Sequence, residues 1–176
     1  LYLKGRYFWN QRTQEGLTKA KAFFERAIVL DPSYALAHSG LADCYTLLMD
    51  YRAARAGEVL PKAKAHALKA MELDDALAEA HASLGAVSQH EYDWGTAERE
   101  LKRAIELRPG YATAHQWLAE ILLAKRRFPE AVAEAERARQ LDPTAPVVNY
   151  VLAATLLMSR DYGRAIEQAT KKLELD

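Results

Sequence analysis

Cysteine, net charge and long apolar runs are what this 176-residue sequence lacks, and each absence closes off a class of protein. Cys44 is the single cysteine, so an intrachain disulfide framework is excluded. That fits a reducing compartment without establishing one, and the compartment stays open. Lys and Arg together number 24, as do Asp and Glu, so no net field favours nucleic acid or an anionic membrane as partner. The most apolar stretch, Val147 to Met158, is interrupted by Asn149 and Thr155 and falls short of the roughly 20 residues a membrane span needs. It reads as a buried helix, and no membrane contact is expected from this segment. The chain starts at Leu1 with no signal peptide and stops at Leu175-Asp176 in mid-pattern. It is expected to be a piece of a longer protein whose targeting signals lie elsewhere.

What is abundant is hydrophobic residues, half of the total, beside 27% charged residues. That balance belongs to a folded, soluble domain and not to a disordered one. The apolar residues recur in a long-period phrase. Glu25-Arg26-Ala27-Ile28-Val29-Leu30-Asp31-Pro32 returns as Lys69-Ala70-Met71-Glu72-Leu73-Asp74-Asp75, as Lys102-Arg103-Ala104-Ile105-Glu106-Leu107-Arg108-Pro109, and as Glu136-Arg137-Ala138-Arg139-Gln140-Leu141-Asp142-Pro143. A final copy, Lys172-Leu173-Glu174-Leu175-Asp176, runs off the end. Asp75, Pro109 and Pro143 are 34 residues apart, whereas Pro32 to Asp75 is 43, which implies an insertion of 9. Trp94, Phe128 and Tyr162 keep the same period, as do Ala97, Ala131 and Ala165, and Leu84, Leu118 and Leu152.

Within a unit the spacing is helical: Ala80, Leu84 and Val87 share one face, and Ala97, Leu101, Ala104 and Ile105 another. His90 to Gly95 breaks the pattern between them, as a turn joining antiparallel helices would. Pro109 and Pro143 are expected to end helices, and Pro61 and Pro129 to start them. The first unit carries about three extra residues, expected in a lengthened turn around Gln11 to Gln14.

These columns resemble the tetratricopeptide repeat (TPR) family across the whole chain. The third unit carries that family's pattern as Leu84, Gly85, Ala97, Leu101, Ala104 and Pro109, and the fourth as Leu118, Ala119, Ala131, Ala135, Ala138 and Pro143. The second has Asp75 in place of proline, and in the fifth Ala169 keeps its place but Lys172 replaces an alanine; the first, with Gly5, Phe8, Ala20, Phe24, Ala27 and Pro32, matches least. The resemblance implies an all-α solenoid: ten helices in five hairpins, near 1–32, 33–75, 76–109, 110–143 and 144–176, wound as one domain into a right-handed superhelix. The opening Leu1 to Asn10, with Arg12-Thr13 and Glu15-Gly16-Leu17, Pro61 to Ala65, and Tyr92-Asp93-Trp94, look like TPR segments at the C-terminal ends of bacterial multidomain signalling proteins. That likeness implies a sensory or docking arm beside a regulator, cyclase or kinase domain.

Catalytic and metal chemistry find no foothold. His38, His81 and His115 share one repeat column, and stacked equivalents lie too far apart to ligate one ion at about 2 Å. They are expected to be structural residues at the inter-repeat seam. His90-Glu91 opens like a zinc motif, but Trp94 stands where its second histidine belongs. His66 stands alone on a second helix, as an exposed or packing residue. Cys44 reads as a small buried hydrophobe. Phosphate-loop and nucleophile-elbow motifs are missing. Carboxylates such as Glu98 and Glu100 read as a solvated face, and Trp9, Trp94 and Trp117 as packing residues. No catalytic residue, cofactor or metal is assigned.

A surface remains. In the family it resembles, the first helix of each hairpin lines the concave side, where a peptide or protein partner lies. Counting along those helices gives Leu36, Ser39, Asp43 and Thr46; Glu79, Ala82, Ala86 and Gln89; Thr113, Gln116, Glu120 and Leu123; and Val148, Tyr150, Ala154 and Leu157. The family's carboxylate clamp of Lys, Asn and Arg is missing, since Ser39, Glu79, Ala82 and Ser83 stand there. Asp43, Glu79 and Glu120 suggest a partner with basic and apolar side chains, against ordinary surface charge as the alternative. Self-association through an uncovered apolar side of the fifth unit is the rival expectation.

Overall fold

A computed structural model describes residues 1–173, and the closing 174–176 of the last repeat phrase lie outside the described residues. The described residues hold ten α-helices and no strand. Two compact units divide the chain, one from Leu1 to Leu107 and a second from Arg108 onward. The first contains α1 (Tyr2–Asn10), α2 (Gln14–Leu30), α3 (Ala35–Asp50), α4 (Ala56–Leu73), α5 (Ala78–His90) and α6 (Trp94–Leu107); the second contains α7 (Ala112–Ala124), α8 (Phe128–Leu141), α9 (Pro146–Met158) and α10 (Tyr162–Leu173). In each unit a helix packs on its hairpin partner, and each later hairpin docks its first helix on both helices of the hairpin before it.

The turns inside the hairpins are built alike. In all five a left-handed residue, Arg12, Arg52, Tyr92, Arg126 or Arg160, follows the first helix at φ between 51° and 65°. In the last four its N–H and that of the next residue return to carbonyls of the last helical turn, as Arg126 to Leu123 and Arg127 to Leu122 do. Asp93 and Asp161 then cap the following helix by accepting from Thr96 and Arg164 N–H. The turn of the third unit is therefore only Glu91 to Asp93; His90 closes α5 and Trp94 opens α6.

Two expectations about the irregular units are corrected. The first turn spans only Gln11 to Thr13, as short as those of the last three hairpins, and the extra residues lengthen α2 to 17 against 14 in α6 and α8. Thr13 makes this workable by capping α2, its Oγ1 accepting from Gly16 N–H at 3.0 Å. Most of the second unit's insertion goes into its helices, and the rest into a longer turn, 51–55. It lengthens α3 to 16 residues and α4 to 18, each by about one turn, so the buried faces stay in phase. Pro61 consequently lies inside α4 and does not start it.

Packing inside the hairpins follows a volume rule. Where the first helix has glycine, the facing residue is large: a Cβ on Gly5 would stand 2.5 Å from the Phe24 ring, and one on Gly85 2.7 Å from Leu101 Cγ. Where it has Ala42 or Ala119, the corresponding second-helix positions hold Ala67 and Ala135. All four second-helix residues are buried. The fifth unit's Ala169 and Lys172 side chains lie outside the described residues.

Candidate functional site

The column that sequence analysis assigned to the seam turns out to tie each hairpin together. His81 places Nδ1 2.7 Å from Glu100 Oε2 and Nε2 2.9 Å from the Asp75 carbonyl. His115 does the same with Glu134 at 2.6 Å and the Pro109 carbonyl at 3.0 Å. His38 meets the Pro32 carbonyl at 3.1 Å and His66 Nδ1 at 2.9 Å. His66 is therefore a paired, half-buried residue, whose imidazole pKa is held down by burial and then by His38. Asn149 keeps half of the device in the last hairpin, donating to the Pro143 carbonyl at 2.9 Å. Glu98 and Glu100, expected on a solvated face, are buried: Glu100 serves His81, and Glu98 Oε1 lies 2.8 Å from Lys102 Nζ. Cys44 is fully buried, with its thiol pKa pushed up by that burial.

The predicted face divides by accessibility. In the first unit Ser39, Asp43, Thr46, Ala82 and Ala86 are buried, while Leu36, Glu79 and Gln89 are partly exposed. In the second unit Gln116 and Val148 are buried, Thr113, Glu120, Leu123 and Ala154 are partly exposed, and Tyr150 and Leu157 are open to solvent. Gln116 donates from Nε2 to Glu120 Oε1 at 3.0 Å. Ser39 and Asp43 serve packing because α5, the next hairpin's first helix, sits on them. Ser83 Oγ donates to Asp43 Oδ1 at 2.6 Å and lies 3.2 Å from Ser39 Oγ.

Asp43 consequently does not offer its charge to a partner. Burial pushes its pKa up to about 6, against the pull of Arg6, whose Nη1 lies 3.5 Å from Oδ2, and of the Ser83 hydroxyl. Arg6 belongs to a group the column count missed. Arg6 and Arg12 set their guanidinium carbons 4.0 Å and 3.6 Å from the ring centroid of buried Trp9. Tyr2, on the same helix, has its hydroxyl pKa pushed up to about 12 by burial. At the ends of α3 and α5, His90 Nε2 lies 3.6 Å from Asp50 Oδ1, and burial raises the acid and lowers the imidazole. Arg6 stands in the column of Asp43, on the first helix of the unit that matches the repeat pattern least.

Among the described residues no three His, Cys, Asp or Glu side chains gather as a metal site would require. No described helix is long and apolar enough to cross a membrane.

Residues 89–154 match the family profile described as tetratricopeptide repeat. No curated protein matches the sequence. Among solved structures, the thermophilic TPR protein TTC0263 of Thermus thermophilus is 25% identical, with a TM-score of 0.66 over 80% of this chain and 73% of its own. YrrB, a TPR protein with an unusual peptide-binding site, is 23% identical, with a TM-score of 0.59 over 92% of this chain and 79% of its own. MamA is 21% identical, with a TM-score of 0.62 over 97% and 87%. The repeat columns, the all-helical hairpins and these likenesses agree: the chain has the tetratricopeptide repeat fold, and its residues 89–154 carry the family's profile.

Proposed function

We propose that the chain is a protein-interaction scaffold that receives a peptide segment on the faces presented by its first helices. The observation that carries this reading is the fold shared with YrrB, a TPR protein with a peptide-binding site of its own. The accessible residues support it. Leu36, Glu79 and Gln89 on one unit, and Thr113, Glu120, Leu123 and Tyr150 on the other, join apolar surface to carboxylates, a mixture suited to basic and apolar partner side chains. With Asp43 spent on Arg6 and Ser83, the acidic character rests on Glu79 and Glu120. The five repeats would act as one docking or sensory arm of a larger bacterial regulator.

Peptides selected from a random display library on the wild-type chain should lose binding to the Glu79→Lys/Glu120→Lys variant. A photo-crosslinker at Gln89 should capture them, and one at exposed Lys62 on a second helix should not. Capture from Lys62 alone, or unchanged affinity in the double variant, would remove the first-helix faces from consideration.

A further inference from the structure

The second hairpin departs from its neighbours at one place in the histidine column. His81 and His115 turn Nδ1 to a carboxylate, Glu100 and Glu134, whereas His38 turns it to a second imidazole, His66, at 2.9 Å. The three partners hold equivalent places on α4, α6 and α8. His66 is half-buried, its ring centroid 5.2 Å from that of His38 and stacked on Tyr45 at 6.1 Å.

The geometry fixes where the protons sit. The Pro32 carbonyl can only accept, so His38 carries a proton on Nε2, 3.1 Å away. A neutral His38 then offers Nδ1 as an acceptor, and His66 must donate from its own Nδ1. One further proton can enter at His66 Nε2 and leave that bond intact. A second finds only His38 Nδ1, and two N–H groups would then point at each other across 2.9 Å. A proton gained by His81 or His115 has the opposite result, because it faces a carboxylate and makes an ion pair. From α2, Glu25 adds a carboxylate that acts on His66, but Lys21 already holds it at 2.9 Å. Neither α1 nor α5 brings a charge against His66 among the described residues.

We infer that this imidazole pair is a pH-sensitive latch, which holds α4 to the start of α3 at neutral pH and parts in weak acid, loosening the second hairpin while the third and fourth hold. Burial, and then His38, lowers the His66 pKa, so the folded chain takes the proton less readily than the unfolded one. The support from the pair is therefore complete above about pH 6.5 and declines as pH falls below it.

Two variants remove the second titratable ring. His66→Gln supplies an N–H donor to His38, and His38→Asn repeats Asn149, which donates to the Pro143 carbonyl from the same column. Either serves if the other fails to fold, as circular dichroism reports. The melting temperature of the variant minus that of wild type should rise as pH falls from 8 to 5; Asp43 titrates in both chains and cancels. Amide exchange, corrected for its intrinsic pH dependence, should quicken about tenfold in α4 beside His66 between pH 7 and pH 5, while α6 beside Glu100 keeps its protection. Long-range nitrogen–proton NMR correlations at pH 8 should show His66 protonated at Nδ1. A melting difference flat across that range overturns the inference. So does α6 losing protection as fast as α4, or His66 carrying its proton on Nε2.

Discussion

The seam between the second and third hairpins is polar, and the seam between the fourth and fifth is apolar, although both use the same columns. The first buries Ser39, Asp43 and Ser83, with Arg6 reaching Asp43 from the side. The second buries Ala119, Ala135, Val151, Leu152 and Leu156, with Val132 against them. The repeat geometry thus fixes where side chains meet and leaves open what chemistry they use. Apolar contact gives stability that varies little with pH, whereas a buried carboxylate links stability to protonation.

The largest effect should come from the apolar seam. Leu152 is 1% exposed, and Leu152→Ala removes side-chain volume from the cluster that joins the fourth and fifth hairpins. A loss of about 2–5 kcal/mol is expected in chemical denaturation, equal at pH 5 and pH 8. A strongly pH-dependent loss would break the contrast between the seams.

The polar seam should answer to pH in one direction. The Asp43 pKa lies at about 6 in the folded chain, above its ordinary 3.8, so the folded state holds the proton more tightly. Its contribution is most favourable below pH 4, declines as pH rises through about 4 to 6, and is flat above. The difference is on the order of 2–3 kcal/mol. The wild-type chain minus Asp43→Asn should show that decline; a difference that grows more favourable with rising pH would reverse the sign and refute the burial argument.

How much of this was legible beforehand follows from what a 34-residue period encodes. Period and helical spacing located the hairpins, and they located the His38, His81 and His115 column, because such features depend on sequence separation alone. His66, Glu100 and Glu134 are also 34 apart, so their pairing with those histidines is legible in the period, but a carboxylate on a helix face carries no mark of burial until its partner is placed. Asp43 misled for the same reason. Its ion-pair partner Arg6 lies on α1, in the unit that matches the repeat pattern least. Helix extension by whole turns preserves the buried face, so it leaves no interruption in the pattern to read.

A smaller effect can convert one seam toward the other. Ser83→Val places an apolar residue where Val151 stands in the last hairpin, and it takes the hydroxyl donor from Asp43. This should cost about 1–3 kcal/mol, because a buried acceptor is left without its partner. Adding Asp43→Ala removes the acceptor as well, and Ala154 already fills that column in the last hairpin. The double variant should return to within about 1 kcal/mol of wild type and lose the pH dependence. Equal costs for the single and double variants would show that cavity volume, and not the unpaired carboxylate, sets the penalty.

The smallest prediction concerns what the two units share. Tyr92 and Arg126 hold the same left-handed turn position at φ 60° and 59°, where a side chain is strained and glycine is not. Both turns close with the same pair of backbone bonds, Tyr92 to Gln89 and Asp93 to Ser88 in one, Arg126 to Leu123 and Arg127 to Leu122 in the other. Tyr92→Gly and Arg126→Gly should therefore each stabilise by up to about 1 kcal/mol, offset by the greater freedom glycine gives the unfolded chain. Tyr92 also sets its ring edge-on to Trp94 at 5.9 Å, a contact that Arg126 has no counterpart for in ring geometry, so its gain should be the smaller. Thermal melts of the two variants read that order directly. A larger gain at Tyr92 would mean that the ring contact contributes less than the strain beneath it.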